Sequence, residues 1–251
     1  MIEFVNIYKN FGKKTVYQGL DLTIQDGESL VIIGQSGVGK SVLLKHIVRL
    51  LYPDSGSVYI DGINIVKTSS KKVFEIRKKF GFVFQGGALF DSMTVSENIG
   101  LPLKEHTSMN ENQMADKVAE KLELVGMQGT QQLMPIELSG GMRKRVAIAR
   151  AIVMEPAYIL YDEPTTGLDP ILAAKINELI VDLNTKLNVT GIVVTHDIES
   201  AYTIASRIAL LHDGSIIFSG TPEQAKKSDN PYLRQFLRGQ SEGPIKISDQ
   251  S

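Results

Sequence analysis

Gly34-Gln35-Ser36-Gly37-Val38-Gly39-Lys40-Ser41 is the stretch on which the reading of this chain turns. It fits G-x-x-x-x-G-K-[S/T] without a mismatch and sits in the frame that pattern needs. Upstream, Leu30-Val31-Ile32-Ile33 is apolar on both alternating faces, as a strand buried in a parallel sheet requires. Downstream, Lys40–Leu51 reads as an amphipathic helix opening with Lys40, Ser41 and Val42. The glycines let backbone N–H groups converge on a polyphosphate, and the helix N-terminus adds partial positive charge. Lys40 is placed to set a cation on the β- and γ-phosphates, and the Ser41 hydroxyl to ligate Mg2+. Such an octapeptide arises by accident in roughly one chain in a hundred of this length, and the strand–turn–helix frame lowers that further. Gly34–Val42 therefore predict a nucleoside triphosphate site.

A second stretch completes the chemistry. Tyr158-Ile159-Leu160-Tyr161 is a mostly apolar strand ending in two acids, Asp162 and Glu163. Asp162, at the strand's C-terminal end, would lie beside the phosphate loop and hold Mg2+ through its water shell. Glu163 points elsewhere in an extended chain and is free to polarise a water attacking the γ-phosphate. Hydrolysis needs that division of labour.

The composition agrees with an ordinary soluble globular protein. Of 251 residues, 27 are Lys or Arg and 28 Asp or Glu, a balance that argues against a nucleic-acid partner. The absence of cysteine excludes disulfides, thiolate metal sites and cysteine nucleophiles. No apolar run reaches the length of a membrane span, and the opening MIEFVNIYKNFGKK lacks the pattern of a secretory signal.

Further strands are expected at Ile2–Tyr8, Val16–Ile24, Ser57–Ile60, Gly81–Phe84, Gly191–Thr195, Arg207–His212 and Ser215–Ser219, the last two forming a hairpin through His212-Asp213-Gly214. Helices are expected at Asn110–Val125, Met142–Met154 and Pro170–Leu187, the last capped by Asp169. Strands dominate the ends and helices the middle. The reading is an α/β domain over residues 1–238, a helical subdomain inserted at about 88–155, and a polar, extended tail over 239–251.

Leu138-Ser139-Gly140-Gly141-Met142, followed by Arg143-Lys144-Arg145-Val146-Ala147-Ile148-Ala149-Arg150, resembles the signature motif of ABC-type ATPases. The resemblance extends along roughly Ile2–Gly220. It implies a RecA-like core of the P-loop NTPase type with an antiparallel β subdomain and the inserted helical subdomain. In that family Ser139, Gly140 and Gly141 would contact the γ-phosphate of ATP held by the opposite subunit, so the chain is expected to work as a head-to-tail homodimer. Gln85, after Phe82-Val83-Phe84, matches the glutamine that senses Mg2+ and γ-phosphate. Asp169, in Gly167-Leu168-Asp169, matches the loop reaching across the pair. His196 matches the switch histidine, and Phe11, in Asn10-Phe11-Gly12, the aromatic that stacks on adenine.

Within the family, LSGGMRKR, the segment Phe84–Val95 and the tail Arg234–Gly239 with Gly243-Pro244-Ile245 look like the ATPase of Mla/Mce-type phospholipid transport systems. That implies ATP and Mg2+ as ligands, an integral-membrane permease docked near Ser92–Leu103, and an MCE-domain lipid-binding protein. Such systems often add a small regulatory subunit. The expected place is the cytoplasmic face of the inner membrane. The rival within transport is an importer of a small polar solute such as an amino acid. The rival outside it is a DNA-maintenance or translation-associated ATPase, which the basic run Lys67–Lys79 alone favours; a solvated helix face explains that run more simply.

Overall fold

The apolar run ahead of the phosphate loop lies at the heart of the molecule because both of its faces are covered. In the computed structural model, which describes residues 1–246, the chain forms these elements in order. They are β1 (Ile2–Phe11), β2 (Lys14–Ile24), β3 (Ser29–Ile33), α1 (Lys40–Ile47), β4 (Ser55–Ile60), β5 (Ile63–Asn64), α2 (Ser70–Arg77) and β6 (Phe80–Val83). Next come α3 (Val95–His106), α4 (Glu111–Leu124), a 3-10 turn at Pro135–Glu137, α5 (Gly140–Ile152), β7 (Tyr158–Asp162) and α6 (Pro170–Lys186). The chain continues through β8 (Thr190–Thr195), α7 (Ile198–Ile204), β9 (Arg207–His212), β10 (Ser215–Gly220), α8 (Pro222–Lys227) and α9 (Pro231–Arg238).

One sheet has the order β10-β9-β3-β8-β7-β6 and is parallel except at β10. The other, β2-β1-β4-β5, is antiparallel. Alternation along the strands divides the apolar side chains between two cores. Leu30 and Ile32 of β3, Leu160 of β7 and Ile192 and Val194 of β8 face the antiparallel sheet and α1. Val31, Ile33, Ile159, Tyr161 and Val193 face the opposite layer, with α3, α5 and α6. Each fully buried aliphatic side chain contributes about 2 kcal/mol of hydrophobic free energy, which pins the register of these strands. A one-residue slip would exchange the two sets. Because β3, β6, β7 and β8 run parallel, the loops that follow them emerge at one edge of the sheet, and those loops carry the phosphate-loop residues, Gln85, Glu163 and His196.

Several elements differ from the sequence expectation. The first helix ends at Ile47, not Leu51, because Arg49 takes a left-handed backbone with φ 50° and Leu50 N–H closes back on the Lys45 carbonyl at 2.8 Å. The Arg49 guanidinium is then buried on the carbonyls of Ile65 and Thr68. The short β5 and helices α2, α3, α7, α8 and α9 lie outside the expected set. The tail also departs from an extended segment. Ile245 is buried, its N–H donating to Gln235 Oε1 at 2.7 Å while Gln235 Nε2 donates to the Ile245 carbonyl at 3.1 Å. Residues 247–251 of the expected tail lie outside the described residues. The His212-Asp213-Gly214 hairpin forms as expected, with φ of 42° at Asp213 and 75° at Gly214.

Candidate active site

The phosphate loop is shaped by what surrounds its glycines. Gly39 has φ 111°, and a Cβ there would lie 2.5 Å from Val16 Cγ1. A Cβ on Gly34 would lie 2.5 Å from the Leu211 carbonyl oxygen. Both positions demand the close backbone approach that only glycine permits. Tyr17 fixes the end of the loop, its hydroxyl donating to the Gly39 carbonyl at 2.6 Å.

Lys40, 6% exposed at the start of α1, turns its ammonium back into this loop. Nζ donates to the carbonyls of Gly34 at 2.8 Å and Gln35 at 3.1 Å, and it stands 3.5 Å from Glu163 Oε1. Burial pulls its pKa below the ordinary lysine value, with Glu163 and Asp162 opposing that trend. Ser41 Oγ donates to Asp162 Oδ1 at 2.6 Å. Burial pushes the Asp162 carboxyl up; the Ser41 hydrogen bond opposes the shift and the Glu163 charge adds to it.

Glu163 follows β7 in a left-handed conformation, φ 49°. Its N–H donates to the Val194 carbonyl at 2.9 Å, which ties it to β8. Its Oε2 stands 2.9 Å from His196 Nδ1 and accepts from Thr195 and Thr166 hydroxyls, each at 3.3 Å. One carboxylate thus faces the serine hydroxyl, while the other is aimed by a histidine and two hydroxyls. A cavity of about 390 Å3 opens over them, lined by Ser36, Gly37, Gly39, Lys40, Ser41, Val42, Gln85, Glu163 and His196. The fold therefore gathers residues separated by up to 160 positions into one polar hollow.

Ser139, Gly140, Gly141, Asp169 and Phe11 stand apart from it. Ser139 caps α5, accepting from Met142 N–H at 3.3 Å, and Gly140 and Gly141 pack beside Leu168 and Leu172. Asp169 caps α6, accepting from the N–H groups of Ile171 and Leu172 at 3.0 Å each. Phe11, 46% exposed at the β1–β2 turn, lies under the Lys9 ammonium at 5.3 Å. Gln35 and Val38, although in the phosphate loop, line a neighbouring cavity with His212 and Pro244 instead.

Hard oxygen donors are the right set for Mg2+, and Ser41 Oγ and Asp162 already lie side by side. Among the described residues no cluster of three or more His, Cys, Asp or Glu forms a cage of its own. A partial shell of this kind suits a metal that arrives with phosphates.

Three residues that the sequence reading passed over hold the loop after Gln85. Lys144, on α5 and 6% exposed, donates to the Gln85 carbonyl and, at 3.4 Å, to the Glu163 carbonyl. Arg150, farther along α5, donates to the carbonyls of Gly87 at 2.7 Å and Ala88 at 2.8 Å. Asn98, fully buried on α3, donates to the carbonyls of Phe90, Met93 and Thr94 and accepts from Phe90 N–H at 2.8 Å.

This arrangement has counterparts. Residues 17–166 match the ABC transporter family. The chain is 42% identical over 98% of its length, and 94% of the relative's, to the Haemophilus influenzae intermembrane phospholipid transport system ATP-binding protein MlaF. It is 44% identical, over 99% of its own length and 69% of the relative's, to the probable ribonucleotide transport ATP-binding protein mkl of Mycobacterium bovis. Among solved structures, the ATP-binding cassette MJ0796, dimeric in a post-hydrolysis state with ADP and Pi, superposes with a TM-score of 0.80 at 35% identity, covering 88% of this chain and 98% of that one. With a glycine-shaped loop, two adjacent carboxylates held by different partners and this kinship along nearly its whole length, the chain belongs to the ABC transporter family as an ATP-binding, ATP-hydrolysing subunit.

Proposed function

We propose that this chain powers phospholipid traffic between bacterial membranes, as a head-to-tail homodimer bound to an integral-membrane permease that works with an MCE-domain protein. The carrying observation is the match to the phospholipid-transport relative over nearly the whole length of both proteins. The mycobacterial relative's name specifies ribonucleotides, but this chain spans a smaller share of that protein. A small regulatory subunit would complete the assembly. Its place is the cytoplasmic face of the inner membrane, held through the permease; among the described residues no helix is long and apolar enough to cross a bilayer.

The site's own residues support the hydrolytic step. In the geometry above, Lys40 is shared between two loop carbonyls and Glu163. A γ-phosphate entering the loop outbids Glu163 for that ammonium, and Glu163, still aimed by His196 and Thr195, is left to take a proton from an in-line water. Ser41, Gln85 and, through water, Asp162 would hold Mg2+, whose charge would offset that of the β- and γ-phosphates. Gly34–Val42 hold the phosphates, Phe11 stacks on the adenine, and Ser139–Gly141 of the second copy cover the γ-phosphate with the N-terminus of α5. Asp169 reaches across the same interface. Residues 1–238 make up this nucleotide domain, its helical subdomain at about 88–155, with 239–251 as the tail.

The segment Ser92–Leu103, expected to seat the permease, contributes Leu101 and Pro102 to one wall of a suitable cavity. This cavity of about 500 Å3 lies between α2, β6, α3 and α5, with Phe82 and Phe84 inside and Phe74, Phe90 and Pro102 around it. Phe74 and Phe90 are about half exposed. Phe84 is the residue before Gln85, so an apolar helix seated there presses on the glutamine loop.

Glu163→Gln is expected to abolish turnover, on the order of 1000-fold or more, with ATP affinity kept and an ATP-dependent dimer accumulating in light scattering. Parallel loss of affinity and turnover would give Glu163 a structural role. Tagged purification from solubilised membranes, with protein and lipid mass spectrometry, tests the cargo. Phospholipid with an MCE-domain protein supports the reading; a periplasmic solute-binding protein without lipid overturns it.

A further inference from the structure

The signature helix does two jobs at once. Its N-terminus carries Ser139–Gly141, while its second turn carries Lys144 beneath the chain's own catalytic edge. Lys144 is a desolvated ammonium whose two acceptors are both main-chain carbonyls, those of Gln85 and Glu163. Burial pulls its pKa below the ordinary lysine value, although the charges of Glu163 and Asp162 oppose this. A buried charge so placed is expensive, and an apolar side chain of equal length would pack there at less cost. What the ammonium provides instead is a rigid three-way junction between α5, the end of β6 and the residue after β7.

Glu163 needs such a support. Its left-handed φ of 49° is an unfavourable conformation for a residue with a Cβ, and the bonds at its own peptide groups maintain it. Glu163 N–H is fixed by Val194 at 2.9 Å, and its carbonyl by Thr166 N–H at 3.3 Å and Lys144 at 3.4 Å. Arg150 extends the same grip to Gly87 and Ala88, so α5 is tied to the glutamine loop at Gln85, Gly87 and Ala88.

We propose that Lys144 is a positioning residue that sets Glu163 and Gln85 of one ATP site according to the placement of the helix serving the other. It rests on the head-to-tail reading given above. When α5 is drawn onto the partner's γ-phosphate, Lys144 carries that displacement to the backbone of its own chain's water-activating carboxylate. The two sites of the pair are thereby coupled through a single side chain in each copy.

The test compares purified full-length Lys144→Met and Lys144→Arg with the unmodified chain, using ATP turnover, fluorescent-ATP affinity and thermal melting. Lys144→Met should lose about 10- to 100-fold in kcat while KM and nucleotide affinity stay within about 3-fold. Lys144→Arg should recover most of that loss, since a guanidinium still reaches both carbonyls. Turnover of Lys144→Met within about 2-fold of the unmodified chain overturns the proposal, as does equal failure of the Met and Arg variants with KM rising in step. If Lys144→Met melts early, Lys144→Gln, which keeps a donor without the charge, takes its place in the same comparison. Glu163→Gln is run alongside. Failure of that variant to pair with ATP defeats the head-to-tail reading and the coupling with it, whereas pairing with an unaffected Lys144→Met defeats the coupling alone.

Discussion

Lys40 and Lys144 are equally buried, and each grips two backbone carbonyls, yet their surroundings differ in one respect. Lys40 lines an open polar cavity and has a carboxylate 3.5 Å away. Lys144 is absent from that cavity's lining, and its bonds run only to main chain. The first is a cation waiting for a better anion. The second is a brace. An ammonium near a carboxylate that lines a cavity has an exchangeable partner, whereas one locked on carbonyls stores position and not charge.

The contrast is sharpest in nucleotide binding. Lys40→Met should weaken ATP affinity by on the order of 100-fold, measured by fluorescent-ATP titration, because two charge-assisted contacts to phosphate are lost. Lys144→Met leaves that titration nearly unchanged, and a similar loss in both would erase the distinction. Next in size is Asn98→Ala. The glutamine loop is braced by α5 on one side and by Asn98 on the other, so truncation leaves the Phe90 N–H and the Met93 carbonyl unpaired and should lower unfolding free energy by about 2–3 kcal/mol in urea titration. Little change would mean that Lys144 and Arg150 suffice alone.

Asp162 sharpens the comparison from the acid side. Because burial holds its folded carboxyl above the ordinary value, the ionised form costs stability at neutral pH, and that cost disappears as pH falls toward about 3.8. Asp162→Asn should therefore raise the melting midpoint of the nucleotide-free protein at pH 7, with the gain shrinking at pH 4, while Mg2+-dependent turnover is lost. A lower midpoint at pH 7 would show that the charge on Asp162 helps to hold Lys40 and Lys144. Smallest is Asp169→Ala, which removes two capping bonds far from either lysine and should cost about 1 kcal/mol by thermal melting.

The parts of the site that follow one another along the chain could be read from residue types alone. Gly34–Ser41 and Tyr158–Glu163 each place their chemistry at the end of an apolar run, so strand and function announce each other. Lys144 could not be read in that way. Its acceptors are 59 and 19 residues away and are carbonyls, which carry no sequence signal. Helix α3 had a start signal, since Thr94 and Glu97 form a capping box, but Pro102 inside it obscures the periodicity. The stop of α1 rests on Arg49 in a left-handed conformation, an uncommon choice for that residue. Buried Ile245 was hidden by the polar residues around it.

The bond pair between Gln235 and Ile245 is a socket that recognises a peptide group and ignores identity. Donor and acceptor of one amide side chain meet donor and acceptor of one backbone residue, so the neighbours of Ile245 can drift without loosening the joint. The restriction falls two places earlier, where a Cβ on Gly243 would lie 2.4 Å from Gln235 Cδ. Freedom of spelling in the tail thus comes with one sterically restricted position, and an engineer grafting a new peptide beside the phosphate loop would need to keep only that glycine and an apolar residue for the buried position.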